Sequence, residues 1–278
     1  MLLQGAGSLK AKALGLLVLL LFSGVFVMNA SASHSWGNYH WARTANPFTL
    51  QIGDNVSSQW DAYLGTTSGD WSQSTVLDTN IVAGGTTTDV RKCRATSGRV
   101  EVCNAKYGNN GWLGVASIWA NSDSHITKGT VKVNDTYFNT SKYNPSAWRN
   151  FVMCQEVGHT LGLDHQNENF NDFNLGTCMD YTSDPTGTAG TNGTLDNEHP
   201  NQHDYDELGI IYTHTDSFTT LLNRLFSVSA RVSNRDIDTA NPKEWGKEIR
   251  KDRKGRGAFY ERDLGKSEKL FTFVVWAD

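Results

Sequence analysis

The sequence predicts an α+β fold: a mixed sheet packed on helices, with a β-containing C-terminal extension. Three observations lead there. Short alternating or apolar runs bounded by Gly, Asn and Pro fill the first half, as strands do. One segment from Ser146 carries helical spacing and stops at Gly162. Beyond residue 214 the charge balance changes and the chain closes on the apolar run LFTFVVW.

Taken in order, Phe48 to Ile52 (FTLQI) alternates like a strand, and Val56 to Trp71 places Val56, Trp60, Tyr63 and Leu64 at helical spacing. Ser74 to Ala83 reads as a strand ended by Gly84-Gly85. Trp112 to Ala120 (WLGVASIWA) and Gly129 to Asn134 (GTVKVN) are two more strands. The spacing predicts a helix over 146–161 with Ser146 as its N-cap. Residues 166–201, rich in Asn, Asp, Gly and Thr, read as a long loop of the kind that often carries function. Asp204 to Tyr212 reads as the last helix. In the tail, Ala258 to Leu264 and Leu270 to Trp276 pair around a turn at Gly265, and the extension docks through its last strand. Lys243 to Arg256 reads as a solvated charged face.

The chain divides by composition into 1–32, 33–214 and 215–278. Lys10 and Lys12 precede an apolar run from Leu14 to Val27, and Ala30-Ser31-Ala32 is a small-residue cleavage site, so 1–32 is expected to be a signal peptide of a secreted protein. A membrane span needs roughly 20 apolar residues, and no stable insertion is expected after cleavage. Residues 33–214 hold 10 basic and 19 acidic side chains, a net of −9, whereas 215–278 hold 13 basic and 10 acidic, a net of +3. An acidic main body repels polyanions and argues against nucleic acid as a partner. Four cysteines after an export signal favour two disulfides. Of three connectivities, Cys93–Cys103 with Cys154–Cys178 is preferred, because the first closes a short loop and the second ties the predicted helix to the segment bearing Met179.

Chemistry concentrates in Met153 to His165, MCQEVGHTLGLDH. Positions four apart on a helix share a face, so Gln155 and His159 project toward one point. Gly162 lets the chain turn and return His165 to it. Three ligands on one side of an ion leave a fourth position open, as a catalytic zinc site requires. Glu156, beside that face, can take a proton from water and pass it to a leaving amine.

These residues resemble the metzincin metallopeptidase signature H-E-x-x-H-x-x-G-x-x-H at every defined position but the first, where Gln155 stands. Cys178-Met179-Asp180-Tyr181 looks like the Met-turn of that family, and Tyr181 stands where serralysin-like and astacin-like members keep a tyrosine. His203 to Tyr212 resembles the helix that closes matrixin and serralysin domains. The run LGVASIW sits where the family keeps the edge strand that aligns an extended peptide by strand addition. The resemblance covers about residues 36–214. It implies a secreted zinc endopeptidase acting as a monomer on protein or peptide substrates. In that reading Glu156 is the general base, Gln155, His159 and His165 hold Zn2+, Met179 forms the floor of the site and Tyr181 stabilises the oxyanion.

An amide oxygen suits zinc less well than an imidazole nitrogen. Three outcomes therefore stay open: Gln155 binds zinc weakly, another histidine such as His199 or His203 completes the set, or no metal binds and the groove serves an extracellular peptide-binding protein. His125, between two strands, is expected to be exposed. The segment NENFNDFN, at 167–174, is a candidate for Ca2+ through its oxygen ligands.

Overall fold

The computed structural model describes residues 33–86, 88–170, 172–188, 193–221 and 237–277. The expected signal peptide lies outside them. No helix among the described residues is long and apolar enough to cross a membrane.

The fold is mixed α+β, a large mixed sheet with few helices. The strands are β1 (His40–Trp41), β2 (Phe48–Asn55), β3 (Leu77–Ala83), β4 (Val100–Ala105), β5 (Trp112–Ala120), β6 (His125–Asn134), β7 (Lys247–Lys251), β8 (Gly257–Gly265) and β9 (Glu268–Trp276). The helices are α1 (Asp61–Trp71), α2 (Asp135–Phe138), α3 (Ser146–Thr160) and α4 (Gln202–Ile211). The strands form one sheet in the order β3-β2-β4-β6-β5-β9-β8-β7, with β1 added on β6. Pairings among β3, β2, β4, β6 and β1 are parallel; those from β6 through β5, β9 and β8 to β7 are antiparallel. Residues 34–278 form one compact unit.

Helix α3 packs on β5, β6 and β9 and against α1. It is buried on nearly every side, so its C-terminal carbonyls need protein partners. Indole and phenol donors supply them: Trp36 Nε1 to the His159 carbonyl, Trp41 Nε1 to Thr160 and Tyr212 Oη to Leu161. Gly162 ends the helix at φ +104°, where a Cβ would come within 2.8 Å of the Tyr39 carbonyl. Beneath the helix, a Cβ on Gly158 would meet Met179 Sδ at 2.5 Å. The glycines thus set how closely the helix approaches its surroundings.

Several local expectations change. Ser146 is the first residue of α3, not its cap; Pro145 takes that place and gives no side-chain hydrogen bond. Strand β6 starts at His125, four residues before the expected run, so His125 is buried rather than exposed. Strand β4 lies within the stretch read only as a cysteine loop. Helix α4 starts at Gln202 behind a capping box between Asn201 and Asp204.

The described part of 166–201 contains no helix or strand and is fastened by side chains. Asp180, fully buried, accepts from the Leu175 amide and from Asn197 Nδ2, both at 2.9 Å, while its Oδ1 has no hydrogen-bond partner. Burial, reinforced by Asp172 and Asp204, pushes its pKa up to about 7, against the pull of those two donors. An unfolded Asp titrates near ~3.9, so between that value and 7 the folded chain binds more protons. Stability should then fall as pH rises through that window. Asp180→Asn is expected to flatten this slope in urea titrations and to stabilise by roughly 1–3 kcal/mol at pH 8, with no gain at pH 4. A gain at pH 4 equal to that at pH 8 would contradict a titrating Asp180.

Candidate metal centre

The two disulfides pair Cys93 with Cys103 and Cys154 with Cys178. The second joins α3 to the strip that carries Met179 and Tyr181. Gln155 lies one residue beyond that link, and its Nε2 donates to the Cys178 carbonyl at 2.7 Å. The amide is thereby oriented, and Gln155 Oε1 is left buried with no hydrogen-bond partner.

His159 and His165 are held in the same manner. His159 Nδ1 donates to the Leu163 carbonyl at 2.8 Å, and His165 Nδ1 pairs with Glu168 Oε1 at 3.0 Å. Such contacts fix the tautomer and turn the Nε2 lone pair inward. The rings lie 4.5 Å apart and perpendicular. Both Nε2 atoms are buried with no hydrogen-bond partner. Burial, His165 and Arg250 push His159 well below the usual histidine pKa, with its bond to Leu163 opposing them. The neutral, ligand-competent imidazole is therefore favoured.

Glu156 points at β5. A Cβ on Gly114 would stand 2.6 Å from Glu156 Oε1, so only glycine leaves room for this carboxyl beneath the strand. The Val275 and Ala116 amides face the carboxyl and favour its charged form, but neither oxygen makes a hydrogen bond of full geometry. Burial dominates and pushes its pKa well above the usual carboxylate range. Buried acceptors without donors are costly. Here Gln155 Oε1, both Glu156 oxygens and the His159 and His165 Nε2 atoms are such acceptors, four of the five on the last two turns of α3 and His165 just beyond its end. Among the described residues, the ligating group that includes His165 is Asp164, His165 and Glu168; imidazole nitrogens such as those of His159 and His165 are donors of a kind zinc takes.

Met179 is buried beneath α3. Tyr181 stacks on Phe170 with centroids 4.7 Å apart and lies 4.3 Å from the His165 ring; its hydroxyl donates to the Val274 carbonyl at 3.1 Å. His199 and His203 do not join the site: His199 Nδ1 pairs with Asp70 at 2.7 Å and His203 stacks on His34 at 4.8 Å. Calcium finds no support. Asn167 and Asp172 bond each other. The ligating group beside that segment, Asp164, His165 and Glu168, has both carboxylates taken by Arg250.

Two functional neighbours escape sequence reasoning, and both belong to the tail. β9 pairs antiparallel with β5 from Lys269 to Trp276. This places Phe273 on His159, rings stacked at 4.1 Å and 11°, with Phe259 on β8 at 4.4 Å from Phe273. Arg250, read as part of a solvated run, grips Asp164 and Glu168 beside His165. The alternation of LFTFVVW marks a strand; nothing local marks its partner.

No family model matches the sequence, and no curated protein matches it. Among solved structures, one that the chain resembles is High choriolytic enzyme 1, a hatching enzyme zinc-protease from Oryzias latipes (Medaka fish). Identity is 11% and the TM-score 0.34, over 63% of this chain and 94% of that one. The likeness is distant, and the reading of the site rests on this chain's own residues.

Proposed function

We propose that the chain is a secreted zinc-dependent endopeptidase of the metzincin kind, latent because its own C-terminal strand lies along the substrate edge. The observation that carries this is the set of buried acceptors without partners on Gln155, Glu156, His159 and His165. A purely structural helix would have no use for them. Gln155, His159 and His165 would hold the metal. When bound, zinc supplies Lewis acidity toward a peptide carbonyl and toward water. Glu156 holds and moves the proton, the β5 edge orients the peptide, and Met179 supports the floor. Tyr181, freed from Val274, has a donor to offer a developing oxyanion.

The rival reading, a binding protein that uses the groove without cutting, needs the same edge that β9 occupies. The filled groove therefore does not favour it.

The test is zinc content of the full chain by elemental mass spectrometry after zinc loading and gel filtration. His165→Ala is expected to hold one zinc fewer than the parent. Gln155→His is expected to bind that zinc at least about tenfold more tightly, since even outer partners of metal ligands are worth 10–100-fold in affinity. Equal zinc in the parent and His165→Ala, with no tightening in Gln155→His, would remove the metal from the proposal.

A further inference from the structure

A second cluster of ligating side chains is built from other elements. His40, in β1, and His125, the first residue of β6, are cross-strand partners. His214 and Asp216 follow α4 on a segment stitched to the start of the domain. The Asp216 amide donates to the Arg43 carbonyl at 2.8 Å, and the Thr220 amide to the Ala42 carbonyl at 3.0 Å.

We propose that His40, His214 and Asp216 bind one zinc ion as a structural site, with His125 as an outer partner of the Asp216 carboxylate. The spacing carries the inference. His40 Nε2 and His214 Nε2 are 3.1 Å apart, and His125 Nε2 and Asp216 Oδ1 are 3.2 Å apart. Asp216 Oδ2 is 3.6 Å from His40 Nε2, and Asp216 Oδ1 is 3.8 Å from His214 Nε2. Tetrahedral zinc, with bonds of 2.0–2.2 Å to nitrogen and oxygen, sets neighbouring ligand atoms about 3.3 Å apart. The ligand atoms of His40, His214 and Asp216 all lie within 4.8 Å of one another, and the His40–His214 and His214–Asp216 separations fall on either side of that value.

The outer contacts agree. His40 Nδ1 donates to the Asn38 carbonyl at 2.7 Å, which leaves its Nε2 as a lone pair facing His214 Nε2. Two lone pairs at that distance repel unless a proton or a cation lies between them. Asp216 Oδ2 accepts from the Arg43 amide at 3.1 Å and from Arg43 Nη1 at 3.2 Å, so Oδ1 remains for the histidine side. Ligating carboxylates and imidazoles are held in this way in metal sites. Arg43 is the cation that faces the cluster; its contact with Oδ2 makes it an outer partner of the carboxylate. Burial, with His214 and His125 adding to it, lowers the pKa of His40, although its bond to Asn38 and the charge of Asp216 pull the other way. His40 and His125 are buried, whereas the His214 side chain is 56% exposed and gives the ion a way in. Two imidazole nitrogens and one carboxylate oxygen suit zinc better than calcium or magnesium. The ion would fasten β1 to the chain after α4.

The test uses the full chain, stripped with chelator and loaded with ZnCl2. His214→Ala is expected to hold one zinc fewer than the parent, while His165→Ala keeps this zinc and loses only one held at α3. The two sites therefore stand or fall separately. At a hundredfold excess over Kd, zinc is expected to raise the Tm of His165→Ala by roughly 5–10 °C, and to leave the double variant His165→Ala/His214→Ala unmoved. Cobalt in place of zinc should give a visible spectrum in His165→Ala that the double variant His165→Ala/His214→Ala lacks. His214→Gln, which preserves size and polarity, should repeat the His214→Ala result if the alanine variant folds poorly. Equal zinc counts in the parent and both His214 variants, with no zinc-dependent Tm in His165→Ala, would overturn the site and leave a proton-shared histidine cluster.

Discussion

Phe273→Ala is expected to raise peptide cleavage by the full-length chain by at least about tenfold. In the proposed endopeptidase, β9 covers the edge that a substrate would use, pairing with β5 from Lys269 to Trp276. Phe273 is fully buried between His159 and Phe259. Cutting a buried Phe to Ala costs roughly 3–5 kcal/mol, and the packing that the ring provides here belongs to the docked state of the tail. If most of that cost falls on docking, the population with an open edge rises by two or more decades, at about 1.4 kcal/mol per decade. The remaining hold comes from the Tyr181–Val274 bond and the fork of Arg250 on Asp164 and Glu168. Arg250 is about one-third exposed, so this clamp is a smaller share of the hold than the buried ring. Hydrogen exchange at β9 checks the physical step, and a quenched peptide library checks the catalytic one. A variant with normal zinc and fast-exchanging β9 amides that still cuts nothing would show that latency does not lie in the strand.

The division between what is legible in the sequence and what is not follows the range of the interactions. WLGVASIWA is legible because every residue of β5 is buried, which leaves a continuous apolar run. The helix of the motif is legible from its spacing, and so are Glu156 and His159 on it and His165 beyond its end. β6 reads short because His125, Thr127 and Lys128 look polar. His125 in fact lies against Asp216, at 3.2 Å, and Lys128 lies over the Trp119 ring at 5.3 Å. Long side chains bury their stems while the sequence shows only their charge. β4 is hidden by its length and by the cysteines around it. The pairing of Ser117 with Thr272 joins residues far apart in the chain. No local pattern sets such a register; it is decided by which edge remains unpaired and which apolar face needs cover. Arg250 reads as solvated for the same reason, since its partners Asp164 and Glu168 are reached only once β9 and β8 have brought β7 alongside.

Glu156→Gln separates the cost of the site from its use. In the Phe273→Ala background it is expected to lower cleavage by about 10²–10⁴-fold, the usual worth of a positioned general base. In the metal-free chain it is also expected to leave stability unchanged or higher at pH 8. The amide has nearly the shape of the carboxyl and fits beneath Gly114, where no Cβ could. It also carries no charge to desolvate. The sign follows from the raised pKa of Glu156. The folded chain keeps this proton at pH values where an unfolded Glu, titrating near ~4.3, has lost it. The parent therefore loses stability as pH rises above that value, and Glu156→Gln removes the loss. Urea midpoints at pH 5 and pH 8 read this directly, and zinc content shows that the ligand histidines still hold their ion. A structural Glu156 makes the opposite forecast: its replacement would lower the midpoint by the equivalent of about 2 kcal/mol or more at both pH values, with any loss of cleavage following from misfolding. Lost cleavage with stability kept or gained at pH 8 is what a buried carboxylate retained for proton transfer requires, because the fold on its own would be no less stable without the charge.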